Sequence, residues 1–191
     1  MKQIILASTS PRRKEILNKT GLKFKVVASD YEENMNLKLK PLNLAKFLSH
    51  GKAETVAKHY KNHIIIGADT FVALKNELLG KPKNKNQAAQ MLHKVSGKVV
   101  SIITGYTVID TSQNKIFSEA VEAKVHIKPL LNSEINNYIK TKEPLDKAGA
   151  FAIQGIGAVL IKRIEGDLYA IMGLPLYHLS KTLKKLGINI L

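Results

Sequence analysis

The sequence predicts an α/β protein in which helices flank a central mixed sheet. Short apolar runs typical of strands alternate with segments of helical spacing, which favours parallel strands. In the middle of the chain two long strand-like segments follow each other directly, which predicts an antiparallel pair. The chain has 191 residues, 45% of them apolar. Because it shows no internal repeat and no flexible linker, we expect a single domain over residues 1–191 with two lobes.

The N-terminal half is expected to alternate strands with helices. The predicted strands are residues 3–7, 23–28 and 63–68, the last continuing extended to 74, and the predicted helices are 12–19 and 41–59. Ser10 and Pro11 suit the cap and the first position of the first helix. The run HIIIGA at 63–68 is continuously apolar, as in a strand buried on both faces. The side chains expected on the buried face of the second helix are Leu44, Phe47, Leu48 and Ala53.

The C-terminal half is expected to begin with a helix capped by Asn84. The predicted elements are a helix at 84–95, strands at 99–109 and 116–127, a helix at 132–140, a loop at 141–157, a hairpin of strands 159–164 and 168–172, and a helix at 175–186. The two long strands are joined by a polar turn at 111–115, which makes them the antiparallel pair of the sheet.

Composition excludes several classes of protein. The chain contains no cysteine, which excludes disulfides, thiolate metal sites and a cysteine nucleophile. Its 30 Lys and Arg against 15 Asp and Glu give a formal net charge of +15, which favours polyanionic partners. The lysines are scattered as on a solvated surface, however, so nucleic-acid binding is not expected. No apolar run approaches the roughly 18 residues of a spanning helix and no signal peptide is recognisable, so we expect neither a transmembrane nor a secreted protein.

Residues 8–13, Ser-Thr-Ser-Pro-Arg-Arg, lie between a predicted strand and a predicted helix. Free backbone N–H groups at a helix start bind anions. The hydroxyls of Ser8 and Ser10 and the guanidinium groups of Arg12 and Arg13 would strengthen a phosphate site there. A capped helix with two solvent-facing arginines explains the same residues equally well. The spacing of a Walker loop is missing.

Asp69 and Thr70 follow the apolar run directly, at the carboxyl end of a predicted strand. A carboxylate there is placed to hold a divalent cation or to act as general base towards a water, and the alternative is a turn residue or helix cap. Lys52 and Lys81 would each reach a phosphate, although lysine is so common here that a surface role is the simpler interpretation of either alone.

The segment 146–155 is rich in glycine and alanine, which lets a ligand approach the backbone closely. Its Gln154 carries an amide suited to a base edge, and a tightly packed loop is the alternative interpretation. Together with the phosphate-binding and acidic candidates, this segment indicates a polyphosphate substrate and a divalent cation. That combination is typical of a phosphoanhydride hydrolase or transferase.

Six segments of the chain occur in the order found in the Maf family. They are LASTSPRRKEIL, IIIGADTFVAL, LGKP, MLHKVSG, TKEPLDKAGAFAIQG and MGLPL, and the resemblance covers the chain from Ile4 to Leu176. The chain is thereby similar to the nucleotide-house-cleaning pyrophosphatases of the ITPase-like fold, of the Maf/Ham1 type. The resemblance implies a twisted central sheet and two lobes around a cleft.

The resemblance also implies an activity. Maf proteins are cytoplasmic nucleoside triphosphate pyrophosphatases that use a divalent metal and cut between the α and β phosphates. The family's catalytic aspartate falls on Asp69, as proton acceptor for the attacking water, and its phosphate-gripping motif falls on residues 8–13. Its phosphate-binding lysines fall on Lys52 and Lys81. A metal-ligating glutamate falls on Glu33, which would share Mg²⁺ or Mn²⁺ with Asp69, and a homodimer is expected by the same analogy.

The segment DKAGAFAIQG resembles the branch of the family that acts on dTTP and UTP. The specificity positions of that branch correspond to Arg12, Thr70 and Gln154, and all three residue types are present. Gln154 would pair with the imide edge of a pyrimidine, and modified pyrimidine triphosphates are plausible further substrates. The alternatives are a 7-methyl-GTP pyrophosphatase of the same family and a non-catalytic protein of cell division or nucleic-acid binding, which the positive charge favours.

Four residues, at three places in the chain, depart from the family pattern. Val100 stands where histidine is frequent, Phe151-Ala152 where Tyr-Gly is frequent, and Ala170 where a polar residue is usual. None of these positions touches Asp69, Arg12 or Gln154, so the expected activity is unchanged. The rate and the substrate preference are the properties that these departures would alter.

Overall fold

The computed structural model describes the whole chain except Met1, Glu33, Met35, Asn36 and Asn76. The strands are β1 (Gln3–Leu6), β2 (Phe24–Val26), β3 (His63–Leu74), β4 (Glu77–Leu79), β5 (Val99–Asp110), β6 (Lys115–Ile127) and β7 (Ile161–Glu165). The helices are α1 (Pro11–Asn18), α2 (Pro41–Ala57), α3 (Lys85–Val95), α4 (Asn132–Lys140), α5 (Leu168–Met172) and α6 (Leu176–Lys185). Short 3-10 turns cover Glu143–Asp146, Ala148–Ala150 and Ile156–Leu160.

The chain divides into two compact units. Unit 1 comprises residues 1–70, 104–121 and 167–191, and unit 2 comprises residues 71–103 and 122–166. Strands β3, β5 and β6 each begin in one unit and continue along the chain into the other. Each unit therefore combines segments that are distant in sequence.

The strands of unit 1 follow the order β2-β1-β3-β5-β6. β1 is parallel to both β2 and β3, with Ile5 opposite Lys25 and Ile65. β5 runs antiparallel to β3. The Thr111 N–H donates to the His63 carbonyl, and Thr70, later in β3, bonds to Thr104, earlier along the chain than Thr111. The mixed sheet flanked by helices that the sequence predicts is confirmed.

Unit 2 contains the far ends of these strands together with two antiparallel additions. β4 pairs with β3, and β7 pairs with β6 across a bulge at His126 and Ile127. Helix α3 begins as predicted, because the Asn84 side chain accepts the Gln87 N–H at 2.9 Å. Helices α3 and α4 pack together and against the 3-10 turns of this unit.

Helix α2 turns a different face to the core of unit 1 than the sequence predicts. Leu44, Leu48 and Ala53 are buried as expected, but Phe47 is 46% exposed and its prediction is wrong. The buried arc also includes Ala45, Ser49, Gly51 and Val56. At about 100° per residue these positions rotate the buried face away from Phe47.

The predicted hairpin after residue 158 is wrong in its second half. Residues 168–172 form helix α5 instead of a strand, because Asp167 Oδ1 accepts the N–H groups of Tyr169 and Ala170 at 2.8 and 3.2 Å. Gly173 ends this helix in the left-handed region, at φ +110°. A five-residue apolar segment is too short for its periodicity to separate strand from helix, and the cap decides. The predicted first strand begins later than expected, at Ile161.

Candidate active site

The parallel strands β1 and β2 end side by side at one edge of the sheet in unit 1, with Leu6 opposite Val26, whereas β3 continues beyond them to Leu74. The Ala7 N–H donates to the Ile66 carbonyl at 2.8 Å, so the segment that follows β1 begins beside the fourth of the twelve residues of β3. Ligands of open α/β sheets bind outside such carboxyl ends. Ser8 follows the end of β1, and Asp69 lies within β3, just beyond the level at which β1 ends, rather than at the strand end that the sequence predicts.

Asp69 is a buried carboxylate with a lysine partner. Its Oδ1 lies 2.5 Å from the Nζ of Lys52, and the two side chains are 7% and 13% exposed. The backbone carbonyl of Lys52 in turn accepts a hydrogen bond from the Ser29 hydroxyl, which lies beyond the end of β2. Two of the predicted site residues therefore form one charge-compensated pair.

Glycines set the distance between helix α2 and the sheet below it. A Cβ on Gly67 of β3 would lie 2.6 Å from the Ser49 carbonyl oxygen, and one on Gly105 of β5 would lie 2.0 Å from that of Ala45. Real Cβ atoms do not approach backbone so closely, so any larger residue would displace the helix. The close approach brings Lys52, on the same helix, within reach of Asp69.

Arg13 on helix α1 donates to three acceptors of unit 1. Its Nε donates to the Gly173 carbonyl at 2.9 Å, and its two terminal nitrogens donate at 3.2 Å to the hydroxyls of Ser8 and Thr70. Three acceptors around one guanidinium fix that side chain more firmly than a lysine could be fixed. In addition to any phosphate contact, Arg13 therefore joins the segment after β1 to β3 and to the end of α5.

The hydroxyl of Thr70 belongs to a hydrogen-bond chain of defined direction. Thr104 Oγ1 donates to the Ala170 carbonyl at 2.7 Å, so it must accept at 2.8 Å from Thr70. Thr70 in turn accepts from Arg13. In this hydrogen-bond chain from Arg13 to Ala170, the Thr70 hydroxyl donates its proton to Thr104 and uses one lone pair to accept from Arg13.

The remaining residues of the segment after β1 lie at the start of helix α1. Ser10 is the N-cap, with extended backbone, and its N–H donates to the Ser8 hydroxyl at 3.3 Å. Pro11 occupies the first turn as predicted, and Arg12 follows it, half-buried. The hydroxyl of Ser10 does not cap the helix, so the first backbone donors of α1 are not bonded to it.

Two predicted binding residues, Lys81 and Gln154, belong to unit 2, and both are exposed. Within that unit their loops are tied together, because the Gly149 N–H donates to the carbonyl of Gly80 at 3.0 Å. The other predicted site residues of the described chain lie in unit 1. Glu33, predicted as a metal ligand, lies outside the described residues.

A divalent cation fits the chemistry of Asp69. Magnesium is typically held by one or two carboxylates together with substrate phosphates and water, and carboxylate oxygen also suits manganese. In the part of the chain that the structure describes, no group of three or more His, Asp or Glu side chains is arranged around a common point. At this edge the described residues contribute Asp69, and the second predicted ligand is Glu33.

The four residues that depart from the family pattern are all buried. Val100 and Ala170 have no exposed surface, and Phe151 and Ala152 are at most 5% exposed. The Ala170 carbonyl is the last acceptor of the hydrogen-bond chain described above. That carbonyl belongs to the backbone, so alanine supplies it as well as a polar residue would. The hydrogen-bond chain is therefore unaffected by the alanine at position 170.

No helix within the described residues is long and apolar enough to cross a membrane. The fold matches a HAM1 protein from Coxiella burnetii at a TM-score of 0.51, covering 97% of this chain and 100% of that one at 13% identity. At this identity the likeness concerns the fold alone. The molecule therefore has the α/β fold of that HAM1 protein.

A family model described as Maf-like protein matches residues 3–186. A relative from Methanosarcina barkeri is 47% identical over 191 residues, covering 100% of this chain and 97% of the relative. A relative from Dictyoglomus thermophilum is 44% identical, covering 100% and 99%. Both relatives bear the name dTTP/UTP pyrophosphatase. The chain belongs to the Maf-like protein family, and the predicted resemblance is confirmed.

Proposed function

We propose that this protein hydrolyses dTTP and UTP between the α and β phosphates to the nucleoside monophosphate and pyrophosphate. This reaction would remove such nucleotides from the cellular pool. Support comes from membership of the family and from the names of full-length relatives. The observation that carries the proposal is the buried pair of Asp69 and Lys52 at the carboxyl edge of the parallel strands. A cytoplasmic location and a homodimer are part of the proposal.

Asp69 accepts the proton of the attacking water. The water oxygen forms a bond to one of the two phosphorus atoms that flank the bridging oxygen, and the bond from that phosphorus to the bridging oxygen breaks. A positioned carboxylate contributes typically 10²–10⁴-fold to such a step. Lys52 fixes the orientation of the carboxylate and adds positive charge beside the phosphates, where charge develops in the transition state.

The segment 8–13 binds the phosphates. The hydroxyls of Ser8 and Ser10, the first N–H groups of α1 and the side chain of Arg12 supply its donors. Arg13 adds charge and fixes Ser8 in position. Lys81 is the corresponding phosphate-binding residue of unit 2.

The cation of the proposal is Mg²⁺ or Mn²⁺, held by Asp69 and Glu33. When bound, it supplies positive charge that neutralises the phosphate oxygens. Gln154 reads the base, and Thr70 and Arg12 are the other specificity residues of the proposal. An amide offers one donor and one acceptor in one plane, which matches the N3–H and O4 of uracil and thymine.

The test is pyrophosphate release from dTTP, UTP, CTP, GTP and 7-methyl-GTP with Mg²⁺ or Mn²⁺. We expect turnover of dTTP and UTP by the wild type and a loss of about 10²-fold or more in Asp69→Asn. Turnover of 7-methyl-GTP alone would overturn the pyrimidine assignment. A folded wild type that hydrolyses none of these nucleotides would favour a binding protein. Its affinity for nucleic acid would then be unchanged in Asp69→Asn and would fall steeply with salt concentration.

The chain offers a matched control for the variant. Asp110 is also buried and also pairs with a lysine, Lys2, at 2.5 Å. It lies at the other end of the same strands, beside the Thr111–His63 hydrogen bond. Asp69 lies six positions after His63 along β3, a distance of about 20 Å. Asp110→Asn removes the same kind of ion pair and should leave turnover unchanged.

A further inference from the structure

The loop that carries Gln154 is clamped on both sides by two residues of unit 2 that no prediction included. The side chain of Gln154 is exposed, so its own contacts do not hold it in place. A base-reading amide on an exposed loop gains affinity only if the backbone beneath it is already ordered. The contacts of the neighbouring residues supply that order.

Glu143 holds the C-terminal side of the loop. Its Oε1 accepts the Ile156 N–H at 3.1 Å, and its Oε2 accepts the Gly157 N–H at 2.8 Å. Two adjacent N–H groups on the two oxygens of one carboxylate form charge-assisted hydrogen bonds, which are stronger than neutral ones. The carboxylate therefore fixes the direction of the chain two and three residues after Gln154.

Tyr138 on helix α4 holds the other side of the loop. Its hydroxyl accepts the Ala152 N–H at 3.2 Å, two residues before Gln154. Burial, and then the Glu143 carboxylate beside it, raise the pKa of Tyr138 above its ordinary value, which keeps the phenol a donor. The two side chains form one clamp across the loop.

Glycine makes this clamp possible. A Cβ at position 155 would lie 2.0 Å from Oε1 of Glu143, and one at position 157 would lie 2.4 Å from the hydroxyl of Tyr138. Gly155 also has φ +92°, a conformation that other residues rarely adopt. The backbone on the C-terminal side of Gln154 is thus shaped to receive both side chains.

We propose that Glu143 is a positioning residue for base recognition, which with Tyr138 holds the loop of Gln154 in the conformation that meets the pyrimidine edge. This inference rests on the proposed function, because it assumes that Gln154 reads the base. Glu143 acts through the backbone and does not contact the substrate. Its loss should weaken recognition of the base and leave the chemical step at Asp69 largely intact.

The experiment compares Glu143→Ala with the wild type in the full-length protein. We expect faster amide exchange in residues 155–157, a KM for UTP raised about ten- to a hundred-fold, and a kcat changed only a few-fold. Glu143→Gln keeps one oxygen acceptor and should show a smaller rise in KM. An unchanged KM despite faster exchange would overturn the inference.

Glu134→Ala is the matched control, because the Glu134 carboxylate also accepts a backbone N–H, that of Leu131, and lies in the same unit. This variant should leave the KM unchanged, and a rise equal to that of Glu143→Ala would overturn the inference. Binding of UMP, measured by titration calorimetry, needs no turnover. If the wild type proved inactive, the proposed function would fail. A lower affinity of Glu143→Ala for UMP would still support the clamp, and equal affinities would overturn it.

Discussion

The Nζ of Lys52 and the Oδ1 of Asp69 lie 2.5 Å apart although the two residues are 17 positions apart in sequence. One comes from helix α2 and the other from strand β3, and both side chains are largely shielded from water. An ion pair in such surroundings costs the desolvation of both charges, and each partner compensates the other. Removing one partner alone therefore has two separable consequences, for stability and for catalysis.

Lys52→Met tests this pair. It leaves the Asp69 carboxylate buried without its cation, and we expect the free energy of unfolding in urea to fall by about 3–5 kcal/mol. Pyrophosphate release from dTTP should fall by about 10²-fold or more. The double variant Lys52→Met/Asp69→Asn should recover part of the stability and none of the activity. A single variant as stable as the wild type would contradict the expected coupling.

Gly105→Ala tests the close approach of helix α2 to strand β5. The added Cβ would lie 2.0 Å from the Ala45 carbonyl oxygen, so the helix must shift. We expect a loss of about 1–3 kcal/mol or more in unfolding free energy, together with reduced turnover because Lys52 moves with the helix. Gly80→Ala is the control for stability, since a Cβ there meets no atom within 4 Å, and it should change stability by less than about 0.5 kcal/mol.

Thr104→Val tests the hydrogen-bond chain that runs from Arg13 to Ala170. The substitution keeps the shape of the side chain but removes the hydroxyl that accepts from Thr70 and donates to the Ala170 carbonyl. Because Thr104 is fully buried, the expected loss is about 1–3 kcal/mol in thermal or urea unfolding. Thr55→Val, which removes a hydroxyl bonded to the preceding turn of α2, should cost clearly less. Equal losses of unfolding free energy in both variants would show that the hydrogen-bond chain stabilises the fold no more than an ordinary hydroxyl contact within a helix does.

Asp110 should make the fold sensitive to acid. Burial opposes its ionisation, but hydrogen bonds from Lys2 and Ser112 outweigh burial and hold the pKa of Asp110 below its ordinary value. A carboxyl group with a lower pKa in the folded state stabilises the fold above its unfolded pKa of about 3.9. That contribution is lost as the pH falls through the folded value.

Urea unfolding at a series of pH values between 7 and 3 checks this expectation. The wild type should lose stability on acidification more steeply than Asp110→Asn, which lacks the titrating group. Parallel profiles for the two proteins would exclude Asp110 as a source of the acid sensitivity.

Local signals in the sequence predicted the elements well. Ser10 and Pro11 begin α1, Asn84 caps α3, and Asp69 follows an apolar run, because each of these signals is complete within a few residues. The segment 168–172 was too short for periodicity, and the capping contact of Asp167 decided its conformation. The sequence did not reveal that α2 approaches the sheet where glycine leaves room.

The least predictable part of the site consists of backbone groups. The carbonyls of Gly173 and Ala170 receive Arg13 and Thr104, and a carbonyl has the same chemistry in every residue. The role of Glu143 is equally unpredictable from the sequence, because a single glutamate in a loop forms no recognisable motif. The glycines at 155 and 157 were a signal that could have indicated a close contact, but not with which side chain.

The Arg13–Gly173 hydrogen bond joins residues 160 positions apart, and it affects the order in which the protein can be completed during synthesis. The segment after β1 leaves the ribosome first, whereas its acceptor at the end of α5 belongs to the last stretch of unit 1 to be translated. The hydrogen bond that fixes the N-terminal part of the site can therefore form only after almost the whole chain has been synthesised. A polypeptide whose translation stops before residue 173 would contain Asp69, Lys52 and Gln154 and would still lack this lock.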